Sequence, residues 1–454
     1  MKFTPHFDKG FSPIYVEYRD YLARVHGEEH KPFSVCVERN DGYNYIFSYD
    51  IFSSESRSEE NCRMAERMIK SVLWVVGGYK VYVKGDEAVY RYVRDAYSEN
   101  GIRAFDKGFM EQVYEKPFEV ILCDEKTFPE EKKCSLSVGG HLDGCRIGFD
   151  AGGSDRKVSA VVDGKVVYSE EVVWFPKINP DPEYHRAEIL KAMRTAASKM
   201  PRVDAIGVSS AGVYVNNKIM VASLFLKVNK EDFEKKVKTM YIDIAKEMGD
   251  VPLVVANDGD VTALAGAIDL NDNDVLGIAM GTSEAVGYIN GEGKLNGWLS
   301  ELAFVPVDYN RDAMVDEWSG DYGCGVKYFS QDGVIKLAEN GGFVFEEGLS
   351  PAEKLKVIQK KMAEGDEFAR KIYEDIGIYL GYTLPFYAMF YEIKHVLLLG
   401  RVTSGEGGTI ILGKANEVLK SEFPELSFSL EMPDETNRRV GQSIAAASLA
   451  ESKR

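Results

Sequence analysis

The segment that most restricts the fold lies a third of the way along the chain, where strands are predicted before any helix. Residues 146–149 favour a largely apolar strand, and the small-residue loop 150–154 interrupts it. Residues 157–162 and 165–168 then favour two more strands around the turn Asp163-Gly164. This α/β unit opens with hairpins, unlike the strand-helix-strand opening of a dinucleotide-binding domain.

The size and charge of the chain narrow the classes of protein to consider. With 454 residues it is longer than one ordinary hydrophobic core requires, so we expect two or three domains. The formal net charge of -17 opposes binding to a nucleic-acid backbone, and we predict no nucleic-acid partner. The charge does not exclude a small polyanion such as ATP, because backbone dipoles and Mg²⁺ hold phosphates locally.

The sequence has no feature typical of a membrane or secreted protein. No apolar run reaches the length that spans a bilayer, and residues 1–10 lack an apolar secretory segment. The six cysteines are scattered without the paired spacing of metal or redox motifs, as is typical of reduced thiols. We therefore predict a cytoplasmic protein without a membrane partner.

Residues 1–140 are predicted to form a mixed α/β region to which we assign no role. Asn40-Asp41-Gly42 lies between two strand-like segments and indicates a β-hairpin. Helical periodicity follows over residues 60–76 and 87–97, and residues 128–137 have the composition of a linker. The aromatic residues of this region are more typical of core and interface than of a carbohydrate platform.

Residues 145–257 and 258–454 are predicted to form two lobes. Both contain a strand, a turn and a hairpin in the same order, as a duplicated α/β architecture would. The final helix is expected to pack back on the first lobe. The predicted helices are 186–199, 230–248, 261–268, 367–391 and 437–451, and the further strands are 205–208, 253–256, 275–280, 286–289 and 395–399.

The loop after the first strand of the first lobe is the first candidate for chemistry. Gly152 and Gly153 allow backbone N–H groups to approach a phosphate, and Ser154 adds a hydroxyl donor. Asp150 at the strand end is suited to Mg²⁺, mostly through water. The alternative is a tight hairpin with an acidic cap, and the chain contains neither a P-loop nor a dinucleotide fingerprint.

The second candidate is Asn257-Asp258, at the end of an apolar strand. A carboxylate there is suited to accept the proton of a sugar hydroxyl as that hydroxyl attacks a γ-phosphate, and the amide to orient neighbouring hydroxyls. The alternative is a helix N-cap made by Asp258 or Asp260.

Two more strand ends carry small or hydroxylated residues. Gly281, Thr282 and Ser283 are suited to the β- and γ-phosphates of a nucleotide. Residues 400–408, with glycines at 400, 405, 407 and 408, indicate an open turn that admits the flat face of adenosine. Each loop alone is more typical of a plain turn than of a functional site, and only the order of all four candidates favours a function.

Taken together, these motifs resemble the ROK family of sugar kinases and sugar-responsive repressors. The resemblance implies a two-lobed actin-like ATPase (ribonuclease H-like) α/β fold, here with an additional N-terminal α/β region. It also implies ATP and Mg²⁺ as cofactors, Asp258 as general base, Asn257 and Glu301 on the sugar, and Gly400 and Gly405 near adenosine. The similar segments are 148–154, 256–265, 281–283, 297–308, 397–400 with Ser404-Gly405, and 441–447.

The chain departs from the family pattern where substrate and zinc are bound. Phe304 stands at the position of a sugar- and zinc-binding histidine, and Val326 at that of a second sugar-contacting glutamate. Of the cysteine cluster only Cys324 remains, so we expect no zinc. Glu284, beside the second phosphate loop, is expected to repel phosphate unless it points away or meets Mg²⁺.

These observations lead to an ATP-dependent sugar kinase as the first hypothesis, with a sugar or related polyol and ATP as partners and a homodimer as the expected assembly. The alternative is a non-catalytic sugar or nucleotide sensor on the same fold. A third hypothesis keeps ATPase chemistry but transfers the phosphoryl group to a carboxylate or a protein. A DNA-binding repressor is not expected, because the N-terminal region lacks a basic recognition helix.

Overall fold

The computed structural model describes residues 1–133, 138–433, 441–442 and 444–452. Residues 134–137 of the predicted linker, and residues 437–440 and Ser443 of the predicted final helix, lie outside the described residues. Residues 441–442 and 444–447 are helical, in agreement with that prediction. None of the helices in the described part of the chain combines the length and apolar composition needed to cross a bilayer.

The N-terminal region is a four-stranded sheet with helices packed on it. The sheet has the order β2-β1-β3-β4, and β4 is its only strand parallel to its neighbour. Its elements are α1 (Ile14–Val25), β1 (His30–Glu38), β2 (Asn44–Phe52), α2 (Ser58–Val76), β3 (Lys80–Lys84), α3 (Glu87–Ala96), α4 (Ala104–Tyr114) and β4 (Glu119–Cys123).

The predicted hairpin of this region is confirmed. Strands β1 and β2 pair antiparallel, with Val35 opposite Phe47. Asp41 and Gly42 in the connection have φ values of 59° and 71°. An Asn-Asp-Gly sequence suits this turn, because these residues adopt left-handed backbone at low cost.

The first lobe is a five-stranded sheet in the order β11-β8-β5-β6-β7. The hairpin strands β5, β6 and β7 are antiparallel, and β8 and β11 extend the sheet in parallel from β5. The elements are β5 (Cys145–Ala151), β6 (Asp155–Val162), β7 (Lys165–Val173), α5 (Pro182–Ala197), β8 (Ala205–Ser210), β9 (Val213–Val215), β10 (Lys218–Val221), α6 (Lys230–Asp232), α7 (Met240–Glu247) and β11 (Leu253–Asn257). The single helix predicted over 230–248 is wrong, because a π-helical turn at Phe233–Val237 separates α6 from α7.

The second lobe is a four-stranded sheet in the order β13-β12-β14-β15. Its elements are α8 (Asp258–Leu270), β12 (Val275–Met280), β13 (Glu284–Ile289), α9 (Gln331–Asn340), α10 (Pro351–Ala363), α11 (Glu367–Tyr387), β14 (His395–Leu399), α12 (Glu406–Glu422) and β15 (Ser429–Glu431). The open turn predicted over 400–408 is only partly correct, because Gly407 and Gly408 belong to α12. A Cβ on Gly407 would lie 2.5 Å from the Tyr373 ring, so this glycine allows α12 to pack closely on α11.

The N-terminal region and the second lobe share one continuous hydrophobic core, whereas the first lobe has a core of its own. The ring centroids of Trp74 and Phe304 lie 4.3 Å apart, and those of Phe11 and Tyr379 lie 4.6 Å apart. The backbone N–H groups of residues 299–301 donate to the last carbonyls of α2. We propose that the N-terminal region is an extension of the second lobe rather than a third independent domain.

Candidate active site

Asp258 is the first residue of α8, directly after the parallel strand β11 of the first lobe. The N-cap is its neighbour Asn257, whose Oδ1 accepts from the Gly259 N–H at 2.8 Å and whose Nδ2 donates to the Gly212 carbonyl at 2.8 Å. The alternative in which Asp258 or Asp260 caps the helix is therefore wrong. Asn257 carries out the capping, and the Asp258 carboxylate is held at the positive end of the helix dipole.

The environment of Asp258 raises the pKa of its carboxyl group towards neutral pH. Burial, together with the like charge of Asp150, raises the pKa of Asp258 to about 6. The Gly259 N–H and the Lys177 ammonium act in the opposite direction. A carboxylate with this pKa is ionised at pH 7 and is a stronger base than an exposed aspartate, as a general base requires.

Two further carboxyl groups belong to the same electrostatic cluster. Burial and the charge of Asp258 raise the pKa of Glu301 to about 7. Burial raises the pKa of Asp260 to about 7, although the Tyr288 N–H donates to it at 3.3 Å. The reasoning from sequence considered Asp260 only as a cap, and its burial is a tertiary property that no local motif signals.

Glu284 points away from the second phosphate loop. It is 3% exposed, and its Oε1 accepts from the Tyr387 hydroxyl at 3.3 Å inside the second lobe. Burial raises its pKa to about 8, so the group is largely protonated at neutral pH. Of the two orientations considered from the sequence, the structure shows the one in which Glu284 does not repel a bound phosphate.

The first glycine loop is the tight connection between β5 and β6. Asp150 accepts from the Ser209 hydroxyl at 2.9 Å, and burial raises the pKa of this carboxyl. The Trp174 indole donates to the Gly152 carbonyl at 2.7 Å, and Gly153 is exposed. The Ser154 hydroxyl donates to Asp155 at 3.1 Å. The loop is thus a hairpin, as in the plain alternative, and its glycines also leave backbone open to a ligand.

The second loop lies between β12 and β13, next to the end of β14. The Gly281 N–H donates to the Ser283 carbonyl at 3.0 Å, while Thr282 and Ser283 are exposed. Gly400 has a φ of 96°, and a Cβ there would lie 2.3 Å from the Met280 carbonyl oxygen. Strands β12 and β14 are parallel, so their carboxyl ends bring residues 281–283 and Gly400 to one edge of the sheet.

Gly405 lies a few residues beyond, directly before α12. It has a φ of 72° and, with open space where a Cβ would lie, it leaves the start of this helix uncrowded. This agrees with a surface that receives a flat group, although a plain helix entry has the same geometry.

Two cations near these loops were not found by reasoning from the sequence. The Lys177 side chain lies across Gly153, and Arg401 Nη2 lies 3.2 Å from the Thr282 hydroxyl. Arg401 directly follows Gly400 and was detectable by that adjacency. Lys177 is 24 positions beyond Gly153 and had no such signal.

The positions where the family pattern is broken are filled by contacts with the N-terminal region. Phe304 packs against Trp74 and Phe105. Cys324 is buried, and the neighbouring Asp321 forms ion pairs with basic side chains of the N-terminal region. Among the described residues, the group His26, His30 and Asp50 alone offers three metal-ligand atoms within 4.8 Å of one another, and it lies in the N-terminal region.

The two α/β lobes, whose strand ends carry the loops and carboxylates just described, have the two-lobed actin-like ATPase fold. A model of the ROK family matches residues 146–451. The chain belongs to the ROK family, with an N-terminal α/β region before the matched part. The fold class and the family resemblance predicted from the sequence are both confirmed.

Solved structures agree with this assignment at the level of the fold. The ROK hexokinase from Thermus thermophilus is 16% identical, with a TM-score of 0.52, over 66% of this chain and 97% of that protein. A ROK family transcriptional regulator, described as a homologue of the E. coli MLC protein, is 17% identical with a TM-score of 0.51. That match covers 68% of this chain and 79% of the regulator. No curated protein sequence matches the chain.

Proposed function

We propose that this ROK protein is a cytoplasmic, ATP-dependent kinase that phosphorylates a hydroxyl group of a sugar or sugar-like compound. The observation that carries the proposal is Asp258, a carboxylate with a pKa of about 6 at the strand end that joins the two lobes. We infer that a substrate bound between the lobes would present a hydroxyl group to this carboxylate. The hexokinase among the structural neighbours shares this fold.

In the proposed reaction, the substrate hydroxyl oxygen attacks the γ-phosphorus of ATP. The new O–P bond forms as the bond from phosphorus to the β-γ bridging oxygen breaks, ADP leaves, and the hydroxyl proton passes to the Asp258 carboxylate. Asn257 and Glu301 orient the sugar. Because Glu301 has a pKa of about 7, it exists in both protonation states near neutrality and is able to donate to or accept from a hydroxyl.

The phosphoryl group would lie between the two loops. Gly152, Gly153 and Ser154 approach it from the first lobe, and Gly281, Thr282 and Ser283 from the second, with Gly400 and Gly405 on the adenosine side. Catalysis of this kind rests on positioning and electrostatics rather than on covalent chemistry.

Asp150 fits a role in holding Mg²⁺, through water. The ion prefers carboxylate oxygens, and one Asp150 oxygen is fixed by Ser209. Like-charge repulsion contributes to the raised pKa of Asp258 opposite Asp150, and a cation beside Asp150 would relieve it. When bound, Mg²⁺ neutralises charge on the transferring phosphoryl group.

The proposal is tested by coupled ADP-release assays across hexoses, N-acetylhexosamines and polyols, with Asp258→Asn beside the wild type. Loss of a general base is expected to lower kcat by about 10²–10⁴-fold. Asp269→Asn, an exposed carboxylate on the same helix α8, is the matched control and should keep full activity. The kinase proposal fails if no acceptor raises ADP release, or if Asp258→Asn retains the wild-type rate.

A non-catalytic sensor is the second candidate, and the apolar packing of Phe304 favours it. This side chain is committed to Trp74 and Phe105, where a histidine would contact the sugar in the family pattern. Sugar binding measured by calorimetry, without turnover of any acceptor, is the result expected of a sensor.

A further inference from the structure

We propose that Lys177 and Arg401, one from each lobe, supply the positive charge that holds the phosphates of the nucleotide. This inference rests on the proposed kinase function and assigns two residues to that site. Neither residue lies in the segments that resemble the family motifs. Each is tied to its phosphate loop by contacts in the structure.

Lys177 is directed at the first glycine loop. A Cβ on Gly153 would lie 2.7 Å from Lys177 Cε and 2.8 Å from its Nζ, so the side chain crosses the open face of this glycine. Lys177 is also near enough to Asp258 to stabilise its ionised form. The ammonium therefore lies near both the loop and the proposed general base.

The segment that carries Lys177 is fixed to the same loop. Trp174 is 1% exposed; its indole donates to the Gly152 carbonyl at 2.7 Å, and its backbone N–H donates to the Ser154 carbonyl at 3.1 Å. His185 Nε2 lies 3.0 Å from the Pro176 carbonyl and so fixes the residue before Lys177. The backbone at Lys177 is thus held in a fixed position relative to Gly152 and Gly153.

Arg401 has the corresponding position on the second lobe. Its Nη2 donates to the Thr282 hydroxyl at 3.2 Å, and its carbonyl accepts from Gln359 Nε2 at 2.6 Å. Gly400 brings the backbone of Arg401 against β12, since a Cβ on Gly400 would lie 2.3 Å from the Met280 carbonyl oxygen. The guanidinium still has donors free for a ligand, because it offers five N–H groups and only one is used on Thr282.

Charge balance favours a ligand that is strongly anionic. Among the described residues, no carboxylate lies within the 4.0 Å ion-pair distance of Lys177 or Arg401, although the chain has 72 acidic residues against 55 basic ones. Asp150 and Asp258 add negative charge at this point, so a triphosphate needs compensating cations beside Mg²⁺. An ammonium and a guanidinium with no carboxylate at ion-pair distance in the described part of the chain provide them.

The test measures binding of MgATP, tripolyphosphate and adenosine by calorimetry to the full chain. The variants are Lys177→Met, Arg401→Met and the double variant. Lys165→Met, an exposed lysine on β7 of the first lobe, is the control. Each single change is expected to weaken MgATP and tripolyphosphate roughly tenfold, and the double change roughly a hundredfold, with adenosine unchanged.

Adenosine separates a charge effect from a structural one, because it fills the nucleoside site without phosphates. The inference is overturned if the double variant binds MgATP as tightly as Lys165→Met does, or if adenosine binding weakens by the same factor. It is also overturned if the wild type binds neither MgATP nor tripolyphosphate. If polyphosphate binding depends on both cations but no acceptor is phosphorylated, the kinase proposal fails and the phosphate site stands.

Discussion

The first lobe differs from the unit formed by the second lobe and the N-terminal region in what its interior buries. The first lobe has a separate apolar core, and its glycine loop reaches solvent at Gly153 and Ser154. The first lobe also buries Arg146 and Arg156, but their partners Asp143 and Glu188 reach solvent, whereas the larger unit buries both members of its ion pairs with Asp321. Arg67 and Lys70 are fully buried on α2, and Asp321 is 2% exposed against them.

The proposed phosphoryl transfer requires two environments, and residues of both units contribute to each. The loops proposed to bind phosphates are open to solvent, at Gly153 and Ser154 in the first lobe and at Thr282 and Ser283 in the second. The side suited to accepting a proton is dry, and burial raises the pKa of Glu301 and Glu284 there. The two environments occupy different places, because the burial that raises the pKa of a carboxyl group also excludes a solvated polyanion.

The largest expected effect comes from breaking the buried ion pairs of the larger unit. Asp321 pairs with Arg67 at 3.0 Å, Lys70 at 3.2 Å and Arg103 at 2.9 Å. Asp321→Asn leaves these cations short of one charge, and the free energy of unfolding should fall by about 3–5 kcal/mol. Urea unfolding measures the loss. Glu87→Gln, which breaks an exposed pair with Arg91, is the control and should cost less than about 0.5 kcal/mol.

If Asp321→Asn costs no more than Glu87→Gln, the N-terminal region is not held by its ionic contacts, and the comparison between the two units loses its basis. If the first lobe instead unfolds in the same transition as the larger unit, the two are coupled more tightly than their separate cores indicate.

A second test uses pH to examine the buried carboxyl group of Glu284 in the larger unit. The pKa of Glu284 is raised from 4.5 to about 8, so between these values the unfolded chain ionises this group while the folded chain keeps it protonated. Stability from this group is thus complete below pH 4.5 and is lost as pH rises towards 8. The loss is about 1.4 kcal/mol per pH unit. Glu284→Gln should remove this slope.

The measurement is urea unfolding of wild type and Glu284→Gln at pH 5, 6, 7 and 8. The variant should gain stability relative to wild type at each step. A constant difference over this range would mean that Glu284 ionises in the folded chain much as it does in water, and that the larger unit is wetter than its burial indicates.

A smaller effect is expected from weakening the contact that holds the glycine loop of the first lobe. Trp174→Phe keeps an aromatic ring but removes the indole N–H that donates to the Gly152 carbonyl at 2.7 Å. Stability should fall by about 1–2 kcal/mol, and the KM for MgATP should rise more than the KM for the sugar. Trp318→Phe, at a tryptophan that is 74% exposed, is the control. Equal changes in both KM values would show that Trp174 supports the whole lobe and not the loop.

The smallest effect concerns the contact between the two units. Glu115, just after α4, pairs with Lys238 at 2.7 Å and Lys218 at 3.2 Å on the first lobe, and its side chain is 45% exposed. Glu115→Gln should lower stability by less than about 1 kcal/mol, and the difference should vanish at about 1 M NaCl because salt screens exposed charges. A loss that persists in high salt would identify Glu115 as a structural joint between the units.

The sequence predicted well what is decided locally. The hairpin at Asn40-Asp41-Gly42 and the strands around loop 150–154 follow from alternation and turn chemistry, which act over a few residues. The strand ends at Asn257 and Met280 were located for the same reason. These ends are sufficient to recognise the fold, because the order of loops along the chain determines which residues meet between the lobes.

What depends on distant partners was not predictable. Arg67 and Lys70 belong to a segment that reads as an ordinary amphipathic helix, and their burial follows from Asp321, which is 254 positions beyond Arg67. The protonation of Glu284 likewise depends on packing that no local pattern encodes. The orientation of Lys177 follows from the tertiary contacts of Trp174 with the loop.

The shared core has a consequence for biosynthesis. Residues 1–123 emerge from the ribosome first, yet their apolar face is covered by residues such as Phe304 and Tyr379, which are made much later. The first lobe, whose core is complete once β11 is made, is able to fold in between. At 5–20 residues per second, the N-terminal region waits on the order of ten seconds or more for its covering surface. During that interval we expect the nascent chain to expose the apolar surface that Phe304 and Tyr379 later cover.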